Sequence, residues 1–340
     1  MFFFKAIPIE TILVNKKTVV DLYIKTNKKL IQYLPQDTLF TEHHFSHLSN
    51  REITHLYVRR KDKNLIEQHT AEHLEDVLTN PHIPSNIKSH VFYTSSSYIM
   101  RKIVEDPRTD YITDLKKSVK LLIENIVRNE VVMNDLFTIT NHDYTTYIHS
   151  VNVGIFATVM ALKYYGPHDP NNNLSKLSYG FFLHDIGKSK VPLEILNKPA
   201  LLNEQEWEIL KKHPQWGYNI LMETGHLTDE AAYIALEHHE KHDGSGYPYG
   251  IRGNEIHPCA RICAVVDTFD ALTTERPYRV ALSAFEALRY MQKVLIYEFD
   301  YDCLTTFIKL LGPKNNKTTR IPIKTIRNPG IQLPSFTTSK

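Results

Sequence analysis

Two hydrophobic patterns divide the chain. Up to about residue 70 the apolar positions come in short β-prone runs. Thr18 to Lys25 and His55 to Arg59 read as half-buried strands between polar breaks rich in Asn and Pro. From 69 to about 105 the spacing turns helical, with Pro81, Pro84 and Pro107 as stops. Residues 1–110 therefore read as a small mixed α/β domain. Beyond Tyr111, the residues Leu115, Val119, Leu122 and Ile126 recur at spacings of four, three and four, which places them on one helical face. This predicts a connecting helix within 111–139. From 140 to 312 nearly every segment reads as helix: His149 to Tyr165, Phe181 to His184, Glu204 to Leu221, Asp229 to Glu240 and Ala260 to Thr274. Pro167, Pro192 and a Gly-rich stretch at 244–253 separate them. The expected fold class is α+β overall, an all-α domain following a smaller mixed one. Residues 313–340 carry four prolines and little periodicity and read as a tail outside the helical core.

Composition narrows the function classes. The 340 residues, 42% of them hydrophobic, are enough for two packed domains and exclude a disordered chain or a disulfide miniprotein. The net charge of +2 favours no partner. It conceals six Lys or Arg and no acidic residue from 313 to 340, and 34 basic against 38 acidic residues before that. The tail reads as a solvated extension, and nucleic acid is not an expected partner. Cys259, Cys263 and Cys303 imply no disulfide framework. The start, MFFFKAIPIETILV, is interrupted by Lys5, Pro8 and Glu10, and no apolar run reaches the ~18 residues of a membrane span. No membrane insertion is expected, and the chain reads as cytoplasmic.

Eighteen histidines invite a test for metal chemistry. Those before position 140 show little ligand spacing. His43, His44 and His47 fit a solvated or capping role; His69 and His73, four apart, suit a metal but equally a solvent-facing pair. The second half differs. His184-Asp185 follows the apolar run from Tyr179 to Leu183, and Asp267 interrupts an apolar helix. A buried carboxylate is costly unless a cation pairs with it, and a divalent metal is one such cation. Asp270, three residues on, shares part of that face and is positioned to orient a ligand or cap the site. His213 taken alone reads as a helix-end residue. The adjacent His238 and His239 point about 100° apart, so both reach one cluster only from the groove between them.

The ordered blocks HDIGK (184–188), HPQWG (213–217), HHEKHDGSGYP (238–248) and DTFDALTTERPYR (267–279) resemble the HD-GYP branch of the HD superfamily of metal-dependent phosphohydrolases. The resemblance covers about residues 140–311 and implies an all-α HD-GYP helical catalytic domain. It implies that His149 is the upstream ligand, that His184 and Asp185 are the namesake pair with Asp185 bridging two metals, that His213, His238 and His239 hold the second metal, and that Asp267 completes the first. It further implies iron, alternatively manganese, as the divalent ions, and cyclic di-GMP as substrate. Lys188, Arg276 and Arg279 match positions that contact substrate phosphate, and Asp270 is added to that substrate-facing set. Some members hold a third metal through a Glu four residues before the upstream histidine; here that position is Thr145, so two metals are expected.

The expected chemistry follows. A hydroxide shared by two metals about 3.5–4 Å apart attacks phosphorus, giving pGpG, GMP or both, with Asp185 and Lys188 as the catalytic pair. Lys188 or water protonates the leaving oxygen, and Arg276 can neutralise phosphate in a bidentate way. The alternative is a weak or inactive cyclic di-GMP receptor that signals through its N-terminal domain. The reading also admits a homodimer, and a protein partner at the N-terminal domain or the GYP loop.

Overall fold

In the computed structural model, residues 3–26, 29–107, 110–128, 130–139, 145–166, 174–225, 228–275 and 280–312 are described. Arg276, Arg279, Asp143, Tyr144 and the basic tail lie outside them.

The N-terminal strands are β1 (Phe4–Pro8), β2 (Lys16–Lys17), β3 (Leu22–Lys25), β4 (Leu30–Leu34), β5 (Leu39–Phe40) and β6 (His55–Arg59), with α1 (Glu42–Ser49) between the last two. Four form an antiparallel sheet in the order β1-β6-β3-β4, while β2 and β5 pair separately. Alternation works as expected in β6: Leu56 and Val58 are buried, opposite Ile7 and Lys5 of β1. The run from Thr18 to Lys25 is strand only from Leu22. Thr18 is drawn into a loop instead, its backbone N–H donating to Thr38 O (2.8 Å) and its hydroxyl to Pro35 O (2.8 Å). His44 is a capping residue: its Nδ1 accepts from Thr41 N (3.1 Å) at the start of α1.

Then come α2 (Lys63–Glu72), α3 (Leu74–Thr79), α4 (Ser85–Glu105), α5 (Tyr111–Arg128), α6 (Glu130–Ile139), α7 (Thr146–Tyr165) and α8 (Leu174–Leu183). The predicted face of α5 holds, with Leu115, Val119, Leu122 and Ile126 all buried. Two hydrophobic clusters exist. One joins Ile7, Leu22, Phe40, Leu56, Val58 and Ile66 under the sheet. The other runs from Leu74 and Val91 through Leu115 and Phe181 to Phe307. Apart from Leu13, which joins the helical cluster, the sheet cluster ends at Ile66 and the helical one begins at Leu74, and α4 packs on α2 as well as on α5, α6 and α7. The two units are tied by Glu67 of α2, whose carboxylate meets Arg101 of α4 and Lys63, each at 2.8 Å.

The remaining helices are α9 (Leu193–Leu196), α10 (Glu204–Leu210), α11 (His213–Thr224), α12 (Asp229–Glu237), α13 (Pro258–Thr273), α14 (Ala284–Lys293) and α15 (Tyr301–Leu311). The segment expected as one helix from Glu204 to Leu221 is two. Pro214 cannot donate a backbone hydrogen bond, so it sits in the first turn of α11 and α10 ends before it. At the centre lies α7, buried from His149 to Leu162, with α8 and α13 packed on it. No described helix is long and apolar enough to cross a membrane.

Candidate metal centre

Five elements converge at one place, α7 among them. That helix supplies His149. The end of α8 at Leu183 places His184 and Asp185 in the turn leading to a 3₁₀ segment, Ile186–Lys190, and not inside a helix as the sequence suggests. His213 opens α11 and does not end a helix. His238 caps the C-terminus of α12 with His239 following, and Asp267 comes from α13. The 3₁₀ segment lies directly on α11: a Cβ at Gly187 would run into the backbone carbonyl of His213.

These side chains fall into two groups of potential ligands, His149–His184–Asp267 and Asp185–His213–His238–His239, with ligand atoms in each group within 4.8 Å of one another. Asp185 lies between them. Its Oδ2 faces His149 Nε2 (3.5 Å) and His184 Nε2 (3.6 Å); its Oδ1 faces His213 Nε2 (3.3 Å) and His238 Nε2 (3.7 Å). His239 Nδ1 lies 3.9 Å from Asp267 Oδ2, and His149 Nε2 lies 3.0 Å from Asp267 Oδ1.

The histidine tautomers decide whether this constellation fits a cation. His184, His213 and His238 each direct Nδ1 at a backbone carbonyl, those of Phe181 (2.8 Å), Leu210 (2.7 Å) and Ala235 (2.9 Å). A carbonyl only accepts, so each Nδ1 carries the proton and each Nε2 presents a lone pair. His213 and His238 Nε2 then face one another at 3.3 Å with no proton between them. Asp185 Oδ1, although buried, accepts no hydrogen bond. Converging lone pairs around an orphaned, buried carboxylate oxygen are unfavourable without a positive charge among them. The residues fit a divalent cation, and a set of imidazoles and carboxylates with no thiolate suits iron, manganese or zinc over magnesium.

Titration points the same way for three of the histidines. Burial lowers the pKa values of His184 (to about 3), His213 and His239, keeping them neutral as ligands must be. Burial alone would also lower His149, but hydrogen bonds to Asp267 and Asp270 drive it up to about 10. Burial opposes charge on Asp185, yet Lys188 and the neighbouring histidines hold it well below the usual carboxylate range. Asp267 is likewise held down, chiefly by His149 against the effect of burial.

Asp270, expected among the substrate contacts, is turned inward. It is 2% exposed, its Oδ2 accepts from His149 Nδ1 (2.7 Å) and its Oδ1 accepts from Asn152 Nδ2 (2.9 Å). It sits behind the histidine and orients it. Lys188 holds Asp185 Oδ2 at 2.5 Å. Thr145, where a third-metal carboxylate would stand, caps α7 by accepting from Ile148 N (3.3 Å). The partly exposed side chains at the centre are His239 (23%), Asp267 (15%) and Lys188 (14%), which marks that side as the approach from solvent.

Sequence reasoning missed several positioning residues. Asn152, one turn beyond His149 on α7, is braced by Tyr93 Oη, which donates to its Oδ1 (3.0 Å); the i+3 spacing was the available signal. Tyr247 stacks on His239, ring centroids 4.7 Å apart and 26° between planes. Glu240 Oε1 accepts from Tyr249 N (2.7 Å) and Gly250 N (3.2 Å), closing the loop that carries Tyr247.

Residues 157–301 match a family model described as HD domain. The chain is 35% identical over 188 residues to cyclic di-GMP phosphodiesterase PA4108 of Pseudomonas aeruginosa, which covers 55% of this chain and 44% of that protein. It is 40% identical over 140 residues to 3'3'-cGAMP-specific phosphodiesterase 3 of Vibrio cholerae, covering 41% of this chain and 30% of that one. The chain thus spans less than half the length of either curated relative. Bd1817, an HDG"Y"P protein from Bdellovibrio bacteriovorus, superimposes with a TM-score of 0.65 over 91% of this chain and 99% of its own, at 20% identity. That likeness concerns the fold alone, and it extends beyond the HD domain.

Proposed function

From a chain that carries an HD domain of the HD-GYP type, we propose a phosphodiesterase that opens cyclic di-GMP to linear pGpG and then to GMP, using two iron or manganese ions. The observation that carries the reading is Asp185, which offers one oxygen to each of two groups of histidines. His149, His184 and Asp267 would hold one ion, His213, His238 and His239 the other, with Asp185 shared. When bound, such a pair supplies Lewis-acid activation of water and of the phosphodiester. Lys188, on the solvent side of Asp185, orients that carboxylate and meets the incoming phosphate, where its ammonium is also placed to give a proton to the departing oxygen. Arg276 and Arg279, which follow α13 in sequence, would add phosphate contacts, Arg276 being able to make them bidentately. The filled ligand set speaks against an inactive receptor. The reading places the chain in the cytoplasm and leaves room for a homodimer, or for a protein partner at the N-terminal unit or GYP loop.

The Vibrio cholerae relative's specificity favours one second reading, hydrolysis of 3'3'-cGAMP by the same centre. One experiment separates these. Anaerobically purified protein is analysed for metal and incubated with each cyclic dinucleotide, products being followed by chromatography. About two metals per chain and pGpG formation are expected. Preferential cGAMP cleavage would transfer the assignment to that substrate, and binding without turnover under both iron and manganese would overturn the enzyme reading.

A further inference from the structure

His69, Glu72 and His73 form a third group of potential ligands, remote in sequence from the HD motifs, with ligand atoms within 4.8 Å of one another. They lie at the end of α2. His73 is the joint itself: its backbone (φ −108°, ψ 10°) leaves α2 and opens α3.

The side chains are arranged for more than solvation. His73 Nδ1 is 2.9 Å from His69 O, and because a carbonyl only accepts, that nitrogen carries the proton and Nε2 is left with its lone pair. His69 Nε2 is shielded from solvent and has no hydrogen-bond partner. The two rings lie 4.5 Å apart, centroid to centroid. His69 also lines a cavity of ≈ 10 Å³, about the size of one water. Glu72 is exposed, with Oε1 accepting from Gln68 (2.9 Å). The ligands of a tetrahedral zinc lie roughly 3.4 Å apart, so a small swing of this exposed carboxylate closes the site. Lys16 is the competing charge nearby; Asp76 pairs with it at 3.8 Å and offsets it.

We propose that His69, Glu72 and His73 bind a zinc-like divalent cation, with water completing the coordination, at the joint between the sheet unit and the helical unit. Ile66, one turn before, belongs to the core of the sheet unit, and Leu74, the next residue, to that of the helices. A cation here ties the end of α2 to the start of α3 and stiffens the passage between the two cores. The site shares no residue with the HD centre.

The test compares zinc equivalents retained at equilibrium dialysis by the full-length wild type and by a His69→Ala/His73→Ala variant. The variant is expected to hold one equivalent fewer, whatever number the HD centre retains, and Glu72→Gln is expected to bind that equivalent about ten-fold more weakly. Equal zinc in wild type and double variant overturns the proposal. Glu72→Gln, a change at an exposed position, guards against a double variant that fails to fold. Loss of zinc in His184→Ala reports on the HD centre alone, so the two assignments fail separately.

Discussion

Asp270 shows how far a single residue can be read. Its spacing from Asp267 marks the shared helical face, but its direction depends on how α13 packs against α7, and no periodicity encodes that. The structure turns it toward His149 and Asn152, where its charge keeps the proton on His149 Nδ1 and aims Nε2 at the centre. Asp270→Asn is therefore expected to lower metal affinity and turnover about 10–100-fold while KM for cyclic di-GMP stays within about two-fold; a raised KM with full metal retention would restore the substrate-contact role. Asp185 is the opposite case, legible from its neighbours and confined by geometry to a shared position. Because each oxygen faces a different group, Asp185→Asn should empty both groups together and reduce turnover by about 10³-fold or more. His239→Ala, at the exposed edge, should weaken only one. Elemental analysis of the two variants beside steady-state rates distinguishes them.

Among elements, motif blocks were legible and their backbone settings less so. HDIGK reads as chemistry, yet Gly187 in it is there for packing. It lets the 3₁₀ segment carrying Lys188 lie on the first turn of α11, where His213 begins. Gly187→Ala forces that contact apart. It should cost about 1–3 kcal/mol in denaturant unfolding and loosen metal at His213, although no ligand is changed. An unchanged stability would mean the two segments separate freely. The same limit explains the break before α11. Pro214 announces a helix start, but the apolar periodicity from Glu204 onward continues through it, so the pattern alone merges two helices. Likewise Thr18 to Lys25 alternates like a strand, and only the hydrogen bonds of Thr18 to residues 35 and 38 show that its first half is loop.

For the whole molecule, the helical character of the second half was legible, and so was the order along it of the side chains that the structure brings together. The change to helical spacing near residue 70 coincides with the boundary between the cores, but nothing in the spacing says which unit α4 joins. That depends on the partners for its apolar face, and α4 packs on α2 as well as on α5, α6 and α7. The consequence concerns stability. The candidate ligands from residue 149 to residue 267 come from five elements and include Asp185, which Lys188 faces, and Asp267, which His149 faces. Without a cation the facing Nε2 lone pairs of His213 and His238 and the buried Asp185 Oδ1 go unsatisfied, so metal binding and folding are expected to be linked. At free metal about 1,000 times Kd the linkage contributes about 4.1 kcal/mol. At roughly 2–4 °C per kcal/mol for a unit of this size, chelation should lower the melting temperature by roughly 10 °C. Asp185→Asn removes the shared ligand and leaves Lys188 without its partner. Its melting temperature should hardly respond to chelator, and in chelator it should melt below the wild type. If wild type melts at one temperature with and without chelator, the cation is no part of what holds these five elements together.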